Sequence, residues 1–273
     1  MGPPSSDFEQ NSAGEFVFRD TNDESHATNS MKEAFARDGF VLVRNLFSSK
    51  EIEKIHSALI NCEKFNDAAF TLSDKEKLRY SQSHWIIPGN DILGKCVKIS
   101  KVLQVSEEFN IYVYLRYWYN NRAIYPDFIT VFIALTKNDR TNGGLQVLRG
   151  SHHCGRIDHG AQAGQQGANE ERIAQVEKLL ERVYCDLTPG DAVFFHANTL
   201  HKSDANFSDE KRWALIYSYN TVENSPDTPH YNAIYTEPLI KLSNDSVKEC
   251  ENLEIENRPY LDPNTNKNIN PNV

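Results

Sequence analysis

The sequence predicts a mainly β fold, a double-sheet jelly roll with helices packed outside it. Short β-rich runs recur between turns from residue 106 onward, Gly and Pro mark the turns, and helical periodicity is concentrated before that point. Residues 31–38 read as a short helix stopped by Gly39, and Phe40-Val41-Leu42-Val43 as a strand. Ser48-Ser49-Lys50-Glu51 is a capping box, and the helix it opens carries Ile52, Ile55, Leu59 and Ile60 on one face. Phe109 to Tyr119 alternates bulky side chains, and Phe128 to Leu135 is a buried strand. Thr141-Asn142-Gly143-Gly144 is a turn before the strand Leu145–Leu148. Ile173, Val176, Leu179, Leu180 and Val183 recur at helical spacing after the cap Asn169. Strands return at 183–187, at Asp191–His196 after Pro189-Gly190, and at Trp213–Tyr219. The expected organisation is a disordered arm over 1–28, one domain over 29–262 and a disordered tail over 263–273; the proline-bearing chain beyond Asn220 reads as irregular.

Composition narrows the partners. The 273 residues are 39% hydrophobic and 25% charged, ordinary for a soluble domain with a real core. A net charge of -9 leaves no surplus of cations for phosphate neutralisation or for a polybasic membrane patch. The five scattered cysteines lack any Cys-x-x-Cys pair, which points to reduced thiols. No apolar run approaches membrane-spanning length, and the N-terminus has no basic segment leading into an apolar one, so a soluble cytoplasmic protein is expected.

The most informative stretch is Phe194-Phe195-His196-Ala197-Asn198-Thr199-Leu200-His201-Lys202-Ser203, followed by Arg212. A non-haem iron site uses two histidines and a carboxylate on one face of the metal, leaving open positions for an oxoacid and dioxygen. An arginine on the next strand can take the far carboxylate of 2-oxoglutarate in bidentate fashion, assisted by a hydroxyl; a lysine cannot offer that planar fork. His201 suits a metal ligand, and Ser203 with Arg212 suits the carboxylate clamp, with 204–211 expected as a hairpin between their strands. Acidic composition leaves the substrate open, and no acid–base pair presents itself as catalytic.

Further stretches carry a resemblance: Gly39–Leu46, Tyr117-Trp118-Tyr119-Asn120-Asn121, Thr141–His152, Gly155-Arg156-Ile157-Asp158-His159-Gly160 and Pro189–His196. Together they resemble the phytanoyl-CoA dioxygenase family, most closely its proline 4-hydroxylase-like and ectoine-hydroxylase-like members. The resemblance implies a double-stranded β-helix of the cupin-like kind, Fe(II) and 2-oxoglutarate as cofactors, and hydroxylation of a small amino-acid-like molecule. It makes His201 the distal iron ligand and Arg212 with Ser203 the oxoacid clamp. It also makes Tyr117, Trp118 and Tyr119 pocket-lining, with ordinary barrel packing an equal alternative.

One departure matters. The family places Trp-His-x-Asp before Tyr-Trp-Tyr-Asn-Asn, whereas here the two ligand positions fall on Tyr112 and Tyr114, and the approach from Pro88 is shortened. None of the nine histidines is followed two residues later by Asp or Glu. His152 and His153 read as a structural turn, His196 as facing away from His201, and His159 as part of a loop at the barrel mouth. A neutral phenol is a poor ligand for Fe(II). Three readings follow in order: a dioxygenase impaired by a shortened ligand segment; a non-catalytic jelly roll that binds a carboxylate ligand or a protein partner; and metal-independent chemistry.

Overall fold

Two sheets face one another in the computed structural model, which describes residues 7–20, 25–73, 79–85, 87–109, 129–162, 165–220, 224, 238–256 and 260. In chain order the elements are β1 (Phe8–Gln10), β2 (Phe16–Phe18), α1 (Asn29–Asp38), β3 (Phe40–Arg44), α2 (Ser49–Ile60), α3 (Glu63–Asp67), β4 (Phe70–Ser73) and β5 (Arg79–Gln82). Next come α4 (Ile92–Lys98), α5 (Ser100–Glu108), β6 (Ile129–Ala134), β7 (Leu145–Leu148), β8 (His159–Gln162), β9 (Gln165–Ala168) and α6 (Glu170–Val176). The series ends with β10 (Arg182–Tyr184), β11 (Ala192–His196), β12 (His201–Ser203) and β13 (Ala214–Tyr219). The larger sheet runs β1-β2-β3-β11-β6-β13 and the smaller β10-β7-β12; β4 with β5 and β8 with β9 form separate two-stranded sheets. The fold is the expected jelly roll with helices outside, its sheets open rather than closed.

Alternation along the strands divides the core. Phe40, Leu42, Phe132, Ala134, Val193 and Phe195 of the larger sheet meet Leu145 and Val147 of the smaller one in an inner cluster. The intervening residues Val41, Val43, Val131, Ile133, Phe194, Leu215 and Tyr217 turn outward against the helices. Strands β6, β11 and β3 are therefore buried on both faces, which is why they read as continuous apolar runs. Tyr217 and Tyr219 donate to the carbonyls of Leu93 and Val97 at 3.1 and 3.0 Å, locking α4 onto β13.

The caps form as the sequence implies. Ser48 Oγ and the Glu51 carboxylate exchange hydrogen bonds with each other's backbone amides at the head of α2. Gly39 ends α1 with φ of +82°, where a side chain would be strained. The second Glu51 oxygen also meets Lys101 Nζ at 2.8 Å, a pair 3% and 2% exposed that joins α2 to α5. The Lys101 ammonium lies 4.6 Å from the Phe47 ring centre and 5.4 Å from that of Phe18.

Several expectations need correction. Residues 7–20, expected within a disordered arm, carry β1 and β2, which pair antiparallel and join β3 in parallel. Phe8, Phe16 and Phe18 are buried there, and that burial offsets the entropy of ordering the segment. The helix expected through Val183 stops at Val176: the amides of Leu179 and Leu180 turn back to the Val176 carbonyl, and Val183 pairs with Val147 in β10. Leu179 is consequently exposed, and Ile60, expected on the buried face of α2, is exposed in its last turn. Phe109, expected to begin a strand, is the C-cap of α5 and stacks on Phe35 with ring centres 4.5 Å apart. Residues 110–128, with Tyr112, Tyr114, Tyr117, Trp118 and Tyr119, and the tail 263–273 lie outside the described residues. All five cysteines are free thiols, and no described helix is long and apolar enough to cross a membrane.

Candidate functional site

The register of β12 on β7 sets where the candidate residues point. His201 pairs with Val147 and Ser203 with Leu145, both in the inner cluster, whereas Lys202 pairs with Gln146. Side chains opposite one another share a face, so His201 and Ser203 project to the side of the inner cluster and Lys202 away from it. The His201 ring lies 4.8 Å from that of Phe195, an inner-cluster residue.

Arg212 reaches the same space from the other sheet. The Leu135 amide donates to the Trp213 carbonyl at 3.0 Å, extending the β6–β13 ladder by one residue. Trp213 packs on the outer cluster and Ala214 on the inner one, so alternation turns Arg212 inward. Two further bonds fix this corner: the Thr136 hydroxyl accepts from the Trp213 amide at 2.8 Å and donates to the Lys211 carbonyl at 3.0 Å. The expected hairpin over 204–211 is instead a crossover, since β12 belongs to the smaller sheet and β13 to the larger. It passes so close to Gly143, at φ +74°, that a Cβ there would collide with the carbonyls of Asp204 and Ala205.

Arg212 is electrostatically unusual. Its Nη1 is buried and finds no hydrogen-bond partner among the described residues. Burial lowers its pKa, and the charge of Asp204 opposes that. Burial also works against ionisation of Asp204, but hydrogen bonds from Gln146 and Lys202 outweigh it and hold the carboxylate below its usual range. Native proteins seldom leave a buried cationic donor unsatisfied, and an anion supplied from outside would satisfy this one. Beyond Arg212 the inward positions of β13 are Ala214, Ile216 and Ser218. Ile216 is 53% exposed, and Ser218 shares a 3.0 Å hydroxyl contact with Thr130. Sequence reasoning did not single out Ile216, Ser218 or Thr130, although the period-two pattern starting at Arg212 contains the first two.

His152, His153, His196 and His159 are bonded to nearby backbone groups. Nε2 of both His152 and His153 donates to the Ala36 carbonyl, at 3.0 and 3.1 Å. His196 accepts from the Asn198 amide at 3.0 Å, and its ring centre is 5.4 Å from that of His152. Burial pushes His196 down to about 4, with His152 and His153 adding to the effect. His159 Nδ1 donates to the Ile157 carbonyl at 2.7 Å. Arg149 pairs with Asp38 and Glu181, its guanidinium 5.4 Å from the ring centre of Phe40.

The fold is thus an open jelly roll with an imidazole, His201, on the smaller sheet and a partly buried guanidinium, Arg212, beside the larger one. Residues 112–214 match the profile of the phytanoyl-CoA dioxygenase (PhyH) family. An L-proline trans-4-hydroxylase of Streptomyces griseoviridis is 22% identical over 238 residues, covering 72% of this chain and 88% of that enzyme. An ectoine dioxygenase of Bordetella bronchiseptica is 25% identical over 243 residues, covering 73% and 77%. In fold, EctD from S. alaskensis with bound Fe superposes with a TM-score of 0.62 at 19% identity, over 82% of this chain and 89% of that one.

The two implied cofactors fit unequally. The buried, unpartnered Nη1 of Arg212, with Ser203 on the facing wall, suits the carboxylate of an oxoacid. Iron does not fit in the same way. Among the described residues no group of three His, Cys, Asp or Glu could hold a metal, and the sequence offers His201 no His-x-Asp or His-x-Glu partner.

Proposed function

We propose that this chain is an impaired 2-oxoglutarate-dependent hydroxylase of a small amino-acid-like metabolite. It keeps the oxoacid grip of Arg212 and Ser203 but lacks two of the three ligands that would retain iron beside His201. The observation that carries the reading is the buried Arg212 Nη1 with no hydrogen-bond partner among the described residues; strand alternation sets Arg212 on the inner side that His201 and Ser203 also face. The named activities of the proline and ectoine relatives support the substrate class. In this arrangement Arg212 binds and orients the far carboxylate, and Ser203 adds a hydroxyl donor. A single imidazole is too few donors to hold Fe(II) against water.

Calorimetric titration of the purified chain with 2-oxoglutarate, with and without Fe(II), and succinate release under air test this. The expected result is oxoacid binding that Arg212→Ala abolishes, weak iron uptake and little succinate. Stoichiometric tight uptake of Fe(II) with full turnover would show an intact enzyme, and absence of 2-oxoglutarate binding would remove the clamp. A second reading, a non-catalytic jelly roll that binds a carboxylate ligand or a protein partner through the old pocket, rests on the sequence, where no histidine is followed two residues later by Asp or Glu. Oxoacid binding that is unchanged by iron, with no succinate at all, selects it.

A further inference from the structure

The inward histidine is held by a clasp that reaches back to the end of α1. His201 Nδ1 lies 2.8 Å from the Thr199 carbonyl. A carbonyl only accepts, so Nδ1 carries the proton and the lone pair is at Nε2. Thr199 is 2% exposed. Its amide donates to the His196 carbonyl at 2.8 Å, and its hydroxyl donates to the Gly39 carbonyl at 2.8 Å. That same Gly39 oxygen accepts from the His196 amide at 2.9 Å. The next residue is tied as well, since the Leu200 amide donates to Ser151 Oγ at 2.8 Å. The close approach exists only because residue 39 is glycine: a Cβ would stand 2.7 Å from Thr199 Oγ1 and collide with His152 Nδ1.

We propose that Thr199, seated on the Gly39 carbonyl, is a positioning residue for His201: it fixes the carbonyl that selects the Nδ1–H tautomer and so sets the orientation of the ring. The proposal deepens the reading of His201 as the inward ligand and rests on it. Backbone carbonyls behind a ligating histidine commonly set its tautomer and ring orientation. Here the hydroxyl adds the constraint that a backbone turn alone lacks. Thr199→Val keeps the shape and removes only the hydroxyl donor. The Gly39 oxygen retains the His196 amide, so no buried acceptor is orphaned.

The test is long-range 1H–15N NMR of the full-length chain at about pH 8, where imidazoles are neutral, with the His201 signals assigned by their loss in His201→Gln. The wild type is expected as the Nδ1–H form. Thr199→Val shifts the tautomer ratio toward Nε2–H by up to about tenfold, the span of one weakened hydrogen bond, and Thr199→Ser restores it. An unchanged ratio in Thr199→Val overturns the proposal, as does an Nε2–H wild type, which decides the matter even if the valine variant does not fold. Titration of the same samples with 2-oxoglutarate separates the two ideas. If the wild type takes up no oxoacid, the clamp reading fails while the tautomer ratios still decide the clasp.

Discussion

Replacing Arg212 by Met keeps an unbranched stem of similar reach and removes a charge whose Nη1 is buried without an acceptor. An unsatisfied buried donor costs about 1–3 kcal/mol, and a charged one more. Swapping one flexible stem for another forfeits less than about 1.5 kcal/mol of packing. The ligand-free variant is therefore expected to be more stable than wild type by about 1–2 kcal/mol, with Tm rising ~2–4 °C per kcal/mol. With 2-oxoglutarate the order reverses. At a hundredfold excess over Kd the ligand stabilises wild type by about 2.7 kcal/mol and Arg212→Met not at all. Thermal denaturation followed by tryptophan fluorescence, with and without the oxoacid, measures both effects. A ligand-free variant that melts below wild type would refute the reasoning, because Nη1 would then have an acceptor. Equal ligand shifts in the two proteins would remove Arg212 from the binding site.

Lys101→Met strands the Glu51 carboxylate in a site where both partners are almost fully buried; urea unfolding should record a loss of about 3–5 kcal/mol, and a loss below about 1 kcal/mol would mean that water reaches the pair. Gly39→Ala forces a side chain into positive φ and against Thr199 and His152, so its midpoint should fall by an amount equivalent to about 2–5 kcal/mol. His196 titrates at about 4 in the fold because of burial, below the 6.5 of an exposed imidazole. The unfolded chain therefore binds the extra proton between those values, and stability drops as pH falls from 6.5 to about 4, by roughly 3 kcal/mol. In His196→Gln that limb of the stability profile should flatten, and an unchanged acid limb would assign it to other groups.

The parts of the fold that were legible are those whose signals are local. The capping box at Ser48 and Glu51, the Gly39 stop and the Asn169 cap all form, because each is settled by the hydrogen bonds of a few adjacent residues. The N-terminal strands were missed because the polar composition of the first residues outweighed the alternation of Phe16-Val17-Phe18, whose burial depends on a partner, β3, many residues away. Helices α4 and α5 were missed for a different reason. Gly94, Ser100 and β-branched residues such as Val97 and Val102 lower helical propensity; tertiary contacts compensate, Tyr217 and Tyr219 of β13 holding α4 and the Lys101–Glu51 pair holding α5. The candidates His201, Ser203 and Arg212 stand out in the sequence by residue type and spacing. Their assignment to separate sheets does not, since a run of residues between two strands reads the same whether it turns back or crosses over. Thr199 carried no motif; its role depends on the carbonyl of residue 39, distant in sequence.

The crossover from β12 to β13 has a mechanical consequence. Because His201 hangs from one layer and Arg212 from the other, a molecule that touched both would act as a strut, its length gauged against a gap that the inner side chains keep near the ~10 Å typical of stacked sheets. In the proposed site, diacids of different chain length would be sorted by how well they span that gap, and occupancy would stiffen the two layers against each other. A swollen or collapsed inner cluster would retune the sorting without any change in the residues that make contact.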